Sequence, residues 1–103
     1  MIVAKYIVEF IGTFIFLSVI LNSSSFGNAK GFVALSVGIA LMACIYFGGA
    51  ISGGHFNPAV STMFFLKNDL PMDDYIGYFI AQLLGGVCAL YFSKYSKNEL
   101  KRQ

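Results

Sequence analysis

The stretch Ser52-Gly53-Gly54-His55-Phe56-Asn57-Pro58-Ala59-Val60 lies inside a run, residues 31–66, that contains no Asp, Glu, Lys or Arg. That run of 36 residues is too long for one membrane crossing, which takes about 20 helical residues, and too short for two with a connection. The stretch itself supplies the break. Two adjacent glycines and the pair Asn57-Pro58 stop any helix arriving from the N-terminal side, because proline lacks the amide proton and restricts the residue before it. Asn57 is a favourable N-cap and Pro58 then takes the preferred first helical position. Residues 32–51 make one crossing. Residues 58–66 make a second helix of nine residues, about 13 Å long, which is half of a hydrocarbon core about 30 Å thick.

Working outward, residues 3–21 form an apolar segment interrupted by Lys5 and Glu9 near its start, and residues 75–93 form another with no charge at all. A polar loop, residues 22–30, separates the first two crossings. The 103 residues are 57% hydrophobic and 12% charged, against about a quarter charged in a soluble domain. So small a soluble domain cannot bury that much apolar surface. The expected fold is therefore an all-α membrane protein of three transmembrane helices and one re-entrant half-helix, over residues 1–95, followed by a basic polar tail, 96–103. Small residues recur every fourth position, as Ser36, Ala40, Cys44, Gly48 and as Gly77, Ala81, Gly85, Ala89, a pattern that brings membrane helices into close contact. Cys44 and Cys88 both fall in apolar runs and read as small packing residues. Glu9 interrupts the first segment and no small-residue cleavage site follows, so no signal peptide is expected. The net charge of +2 is modest and no basic patch alternates with stacking aromatics, which leaves nucleic-acid binding without support. Tyr6, Tyr91 and Tyr95 suit the membrane interfaces.

Non-helical backbone at membrane depth survives only when buried in protein or lining a watery cavity. A half-helix that begins there turns free N–H groups and the positive end of its dipole toward the midplane. This repels cations and holds the oxygen of a neutral molecule. The alternative is a kinked loop at the membrane surface. Glu9 is the carboxylate inside an apolar span, where a charge is costly without partners; it either accepts hydrogen bonds from the re-entrant backbone or relays protons. His55 either hydrogen-bonds at the pore or senses pH.

Three motifs then carry a resemblance. Residues 52–60 are similar to the first Asn-Pro-Ala loop of the aquaporin (major intrinsic protein) family. Glu9-Phe10-Ile11-Gly12-Thr13 resembles the family's opening helix, and Ala81-Gln82-Leu83-Leu84-Gly85 its third. The resemblance implies half of an inverted-repeat bundle in which Asn57, with Pro58 and Ala59, presents a side-chain amide to the solute. Gly54, His55 and Phe56 would offer a ladder of backbone carbonyls, while Glu9 and Gln82 support the loop. It also implies filter positions at Val60, where the family's second loop has arginine, and at Val37, often aromatic in the family. Both departures weaken strict water selectivity.

The function implied is passive passage of water or a small neutral solute such as glycerol, in a multi-pass protein of the cell membrane. No catalysis, metal or cofactor is expected. One half-helix does not complete a pore, so an antiparallel homodimer or a complementary half-channel is expected as partner. The competing readings are a truncated, non-conducting partner of full-length channels, a small holin-like lytic pore, and a soluble helical bundle. Orientation is a conflict. The resemblance puts the N-terminus in the cytoplasm with Lys5 and Lys67, whereas Lys30, Lys94, Lys97, Lys101 and Arg102 on the other side favour a cytoplasmic C-terminus by the positive-inside rule. Insertion in both orientations satisfies both.

Overall fold

In a computed structural model, described over residues 2–23 and 32–102, the chain folds into four helices: α1 (Ile2–Ser23), α2 (Val33–Ser52), α3 (Pro58–Leu66) and α4 (Met72–Lys101). Three of them, α1, α2 and α4, are long and apolar enough to cross a membrane. The short α3 is the half-helix expected from its cap and length. This is an all-α membrane protein. Residues 1, 24–31 (with Lys30) and 103 lie outside the described residues.

Helix α1 packs against both α2 and α4, and α3 lies against α4. The small-residue ridges explain how. Ala40, Cys44 and Gly48 are buried along α2, and Ala81, Gly85, Ala89 and then Ser93 along α4. At Gly85 a β-carbon would stand 2.8 Å from the Phe10 carbonyl oxygen and 3.1 Å from Thr13 Cβ. Backbone cannot move aside as a side chain can, so α1 and α4 approach this closely only over glycine. The outward faces are the apolar ones: Ile7, Ile11 and Ile15 on α1, Ile39 and Ile45 on α2, and Ile80, Leu84 and Val87 on α4 are all exposed. In water such a surface would aggregate; in lipid it is the natural exterior.

Helix α4 outruns its apolar segment at both ends, and the reading of one cysteine needs correction. Helix α4 starts at Met72, where Asp73 and Asp74 occupy the first turn and favour the positive end of the dipole. It runs on to Lys101, so the basic residues from 96 onward continue the helix. Among the cysteines, Cys44 packs inside, its thiol 3.5 Å from the Gly12 carbonyl, but Cys88 is exposed on the outer face. The α4 ridge runs through Gly85 and Ala89, and Cys88 falls off that stripe.

The N-terminal end of the bundle is pinned by charge. Lys5 Nζ lies 2.7 Å from Asp74 Oδ1, and the Tyr6 hydroxyl donates to the same oxygen at 2.9 Å. Tyr6 is thus tied to α4, while Tyr91 and Tyr95 remain exposed.

Gly85→Ala will destabilise the bundle by about 1–3 kcal/mol, the usual range for overpacking. Gly38→Ala, where a β-carbon would meet nothing within 4 Å, will be neutral or stabilising by up to about 1 kcal/mol. Thermal unfolding of both variants in detergent micelles checks the contrast.

Candidate functional site

The connection between α2 and α3 is built from unusual backbone. Gly53 and Gly54 have φ of 91° and 68°, and Phe56 has φ of 53°. The glycines adopt the left-handed region freely, but for phenylalanine it costs roughly 1–2 kcal/mol. Packing and hydrogen bonds offset that strain. The Phe56 ring is 1% exposed and lies where a β-carbon on Gly12 would be, 2.1 Å from the ring. Val8 and Cys44 complete the cluster around it.

The loop hangs on one carboxylate. Glu9, fully buried, accepts from the Phe56 N–H at 2.7 Å and from Gln82 Nε2 at 2.8 Å on one oxygen. Its other oxygen accepts from the Ser52 hydroxyl at 2.6 Å and from the His55 N–H at 3.1 Å. Four donors on four lone-pair positions are what a buried carboxylate needs. Ser52 relays the hold, since its hydroxyl oxygen accepts from the Gly54 N–H at 3.1 Å. The Tyr78 hydroxyl donates to the Ser52 carbonyl at 2.5 Å.

A second hub is Ser61, also fully buried. Gln82 Nε2 lies 2.9 Å from its hydroxyl oxygen and His55 Nδ1 2.8 Å from it. The His55 ring stacks on Phe64 with centroids 4.9 Å apart and meets the edge of Tyr78 at 5.2 Å. Neither Ser61 nor Tyr78 stands out in the sequence. For Tyr78 the available signal was its place one turn before Gln82, on the same inner face of α4; Ser61 carried no comparable signal, since Asn57 one turn before it is exposed.

Asn57 caps α3 through Oδ1, which accepts from the Ala59 N–H at 2.8 Å. Its Nδ2 has no partner among the described residues, and the side chain is exposed. The carbonyls of Gly54, His55 and Phe56 likewise accept no hydrogen bond among the described residues. Beside Asn57 and Pro58 opens a groove of about 440 Å³ between α1 and α4, lined by Thr13, Phe16, Gln82 and Val87 among others. Thr13 Oγ1 and Gln82 Oε1 are buried without a partner among the described residues. Val60 sits partly buried in the first turn of α3. Val37 is in the second turn of α2, at the end far from Ser52, and the structure does not bring it into the hydrogen-bonded cluster. Among the described residues no group of His, Cys, Asp or Glu is arranged to hold a metal.

The whole of this arrangement falls within a match of residues 1–103 to the family model of the major intrinsic proteins. The chain belongs to that family. It is 43% identical over 88 residues to the glycerol uptake facilitator protein-like 6 of Lactiplantibacillus plantarum, covering 82% of this chain and 40% of the relative. To aquaporin Z of Brucella melitensis it is 41% identical over 92 residues, again 82% and 40%. To aquaporin NIP3-1 of Arabidopsis thaliana it is 39% identical over 93 residues, 84% of this chain and 29% of the relative. The chain therefore spans two-fifths or less of the length of these relatives. No solved structure gives a significant match.

Glu9→Gln will keep one acceptor oxygen and lose the other, whereas Glu9→Leu strands all four donors. An unmet buried donor costs about 1–3 kcal/mol, so the leucine variant will lose more stability in micelles than the glutamine variant. Equal losses would remove the account of Glu9 as the acceptor that holds the loop's donors.

Proposed function

We propose that this chain forms one half of a passive transmembrane channel for water or a small neutral solute such as glycerol. The observation that carries the reading is a row of polar groups on the loop without partners among the described residues: three carbonyls, ending at the side-chain NH2 of Asn57 on the cap of α3. Acceptors followed by a donor suit molecules that both give and take hydrogen bonds. The dipole of α3 and the fixed N–H groups around it disfavour cations at the same point. Relatives named aquaporin and glycerol uptake facilitator support the solute class.

Asn57, Pro58 and Ala59 form the constriction in this reading, Gly54, His55 and Phe56 line the approach through their carbonyls, and Val60 and Val37 leave the filter apolar. Glu9 and Gln82 hold the loop and do not touch the solute. These elements supply one half-helix from one membrane face. A second, inverted half-helix completes the pore, contributed by an antiparallel copy of this chain or by a complementary half-channel.

The test is reconstitution of the chain alone in vesicles, with light scattering after an osmotic jump of sucrose or glycerol. Water flux from the chain alone supports the antiparallel copy. Flux only after a complementary half is added supports the second partner, no flux in either case defeats the channel reading, and unselective leakage supports a lytic pore. Single-cysteine labelling at Ser96, with Cys44 and Cys88 replaced, will find both membrane sides accessible if the copies are antiparallel.

Asn57 has two separable roles. Asn57→Ser keeps a cap for α3 but withdraws the amide, so flux will fall with stability nearly unchanged. Asn57→Ala will lose flux and a further 0.5–2 kcal/mol or so of stability through the missing cap. Flux equal to wild type in the serine variant would remove Asn57 from the solute path.

A further inference from the structure

His55 is the single histidine of the chain, and its two ring nitrogens are in different situations. Nδ1 is 2.8 Å from Ser61 Oγ. Nε2 has no partner among the described residues, and a β-carbon added to Gly53 would sit 3.4 Å from it. Which nitrogen carries the proton follows from counting donors along the buried chain. Each Glu9 oxygen already accepts a backbone N–H of the loop, and the Gln82 amide turns its nitrogen, not its oxygen, toward them. That nitrogen has two protons: one goes to Glu9 at 2.8 Å and the other to Ser61 Oγ at 2.9 Å. Ser61 therefore accepts from Gln82. Its own proton has one remaining partner among the described residues, which is His55 Nδ1. Were Nδ1 protonated instead, a fully buried hydroxyl proton would be left unmet, which is the costly outcome.

We infer that Ser61 is a positioning residue that holds His55 as the neutral Nε2–H tautomer through the chain Glu9–Gln82–Ser61–His55. The face-to-face contact with Phe64 and the edge contact with Tyr78 keep the ring from flipping. The consequence is one fixed N–H donor beside the bare backbone of Gly53, ahead of the carbonyl ladder. Its chemistry suits the oxygen of water or of a hydroxyl. This consequence rests on the channel reading; the tautomer does not.

The test uses the whole chain in lipid bilayers with 15N-labelled histidine. Solid-state nitrogen spectra distinguish a bare ring nitrogen from a protonated one, and one histidine leaves no ambiguity of assignment. The expected spectrum shows one neutral population with Nδ1 bare and Nε2 protonated. A wild-type spectrum with Nδ1 protonated, or with an even mixture, overturns the inference without any mutant. Ser61→Ala will reduce the tautomer ratio about fivefold or more, the effect of one net hydrogen bond, and Ser61→Thr, which keeps the hydroxyl, will restore it. A ratio unchanged in Ser61→Ala, with the helical fold retained by circular dichroism, overturns the role of Ser61. Flux in the same vesicles separates the two claims: the expected tautomer, with no flux either from the chain alone or after a complementary half is added, upholds this inference and defeats the channel reading.

Discussion

Glu9 accepts four hydrogen bonds inside an apolar bundle, and the site is arranged around that fact. A carboxylate at this depth is tolerable only when every lone pair is met. The donors that meet them come from three elements: the end of α2, the re-entrant loop and α4. The same contacts satisfy backbone N–H groups of the loop that no regular structure satisfies. One side chain therefore solves two desolvation problems together. It also explains why Phe56 can hold a left-handed backbone conformation, since its N–H and its ring are both engaged.

Such a network requires helices close enough for short side chains to reach across. In lipid there is little hydrophobic drive between helices, so close contact comes from packing of small residues. Gly85 lets the α4 backbone approach that of α1 near Thr13, one turn beyond Glu9, and Gln82 then projects from α4 into the cluster. Gly12 clears the space that the Phe56 ring fills. Packing and polar satisfaction are thus coupled, because a widened α1–α4 spacing would separate Glu9 from Gln82.

The polar groups divide into two sets. Those turned inward, on Glu9, Gln82, Ser52, Ser61 and Tyr78, are mutually bonded. Those left over, the Gly54–Phe56 carbonyls and the Asn57 Nδ2, have no partner among the described residues. A loop needed only for structure would close its polar groups on itself. Here the rigid inner set leaves the outer set preorganised, which is the physical basis for proposing that a neutral solute passes along it. The groove beside Pro58 is nearly all apolar, and the buried Thr13 and Gln82 oxygens at its margin are the groups the inner network leaves unmet.

The spans and the half-helix were legible in the sequence, because hydropathy, helix caps and chain-breaking residues act over a few positions. Gly53 ended one helix and Asn57-Pro58 began the next by local geometry alone. Glu9, Gln82, His55 and Asn57 drew attention as polar residues in apolar surroundings or through their motifs. The helical continuation of α4 to Lys101 was not legible, since hydropathy reports where lipid is and not where a helix ends. Ser61 and Tyr78 were hidden because an isolated Ser or Tyr in an apolar run is ordinary. The direction of each hydrogen bond, and with it the protonated nitrogen of His55, was decided by the tertiary structure. It depends on which donors meet which lone pairs across elements 21 to 73 residues apart in sequence, and no local pattern encodes that meeting.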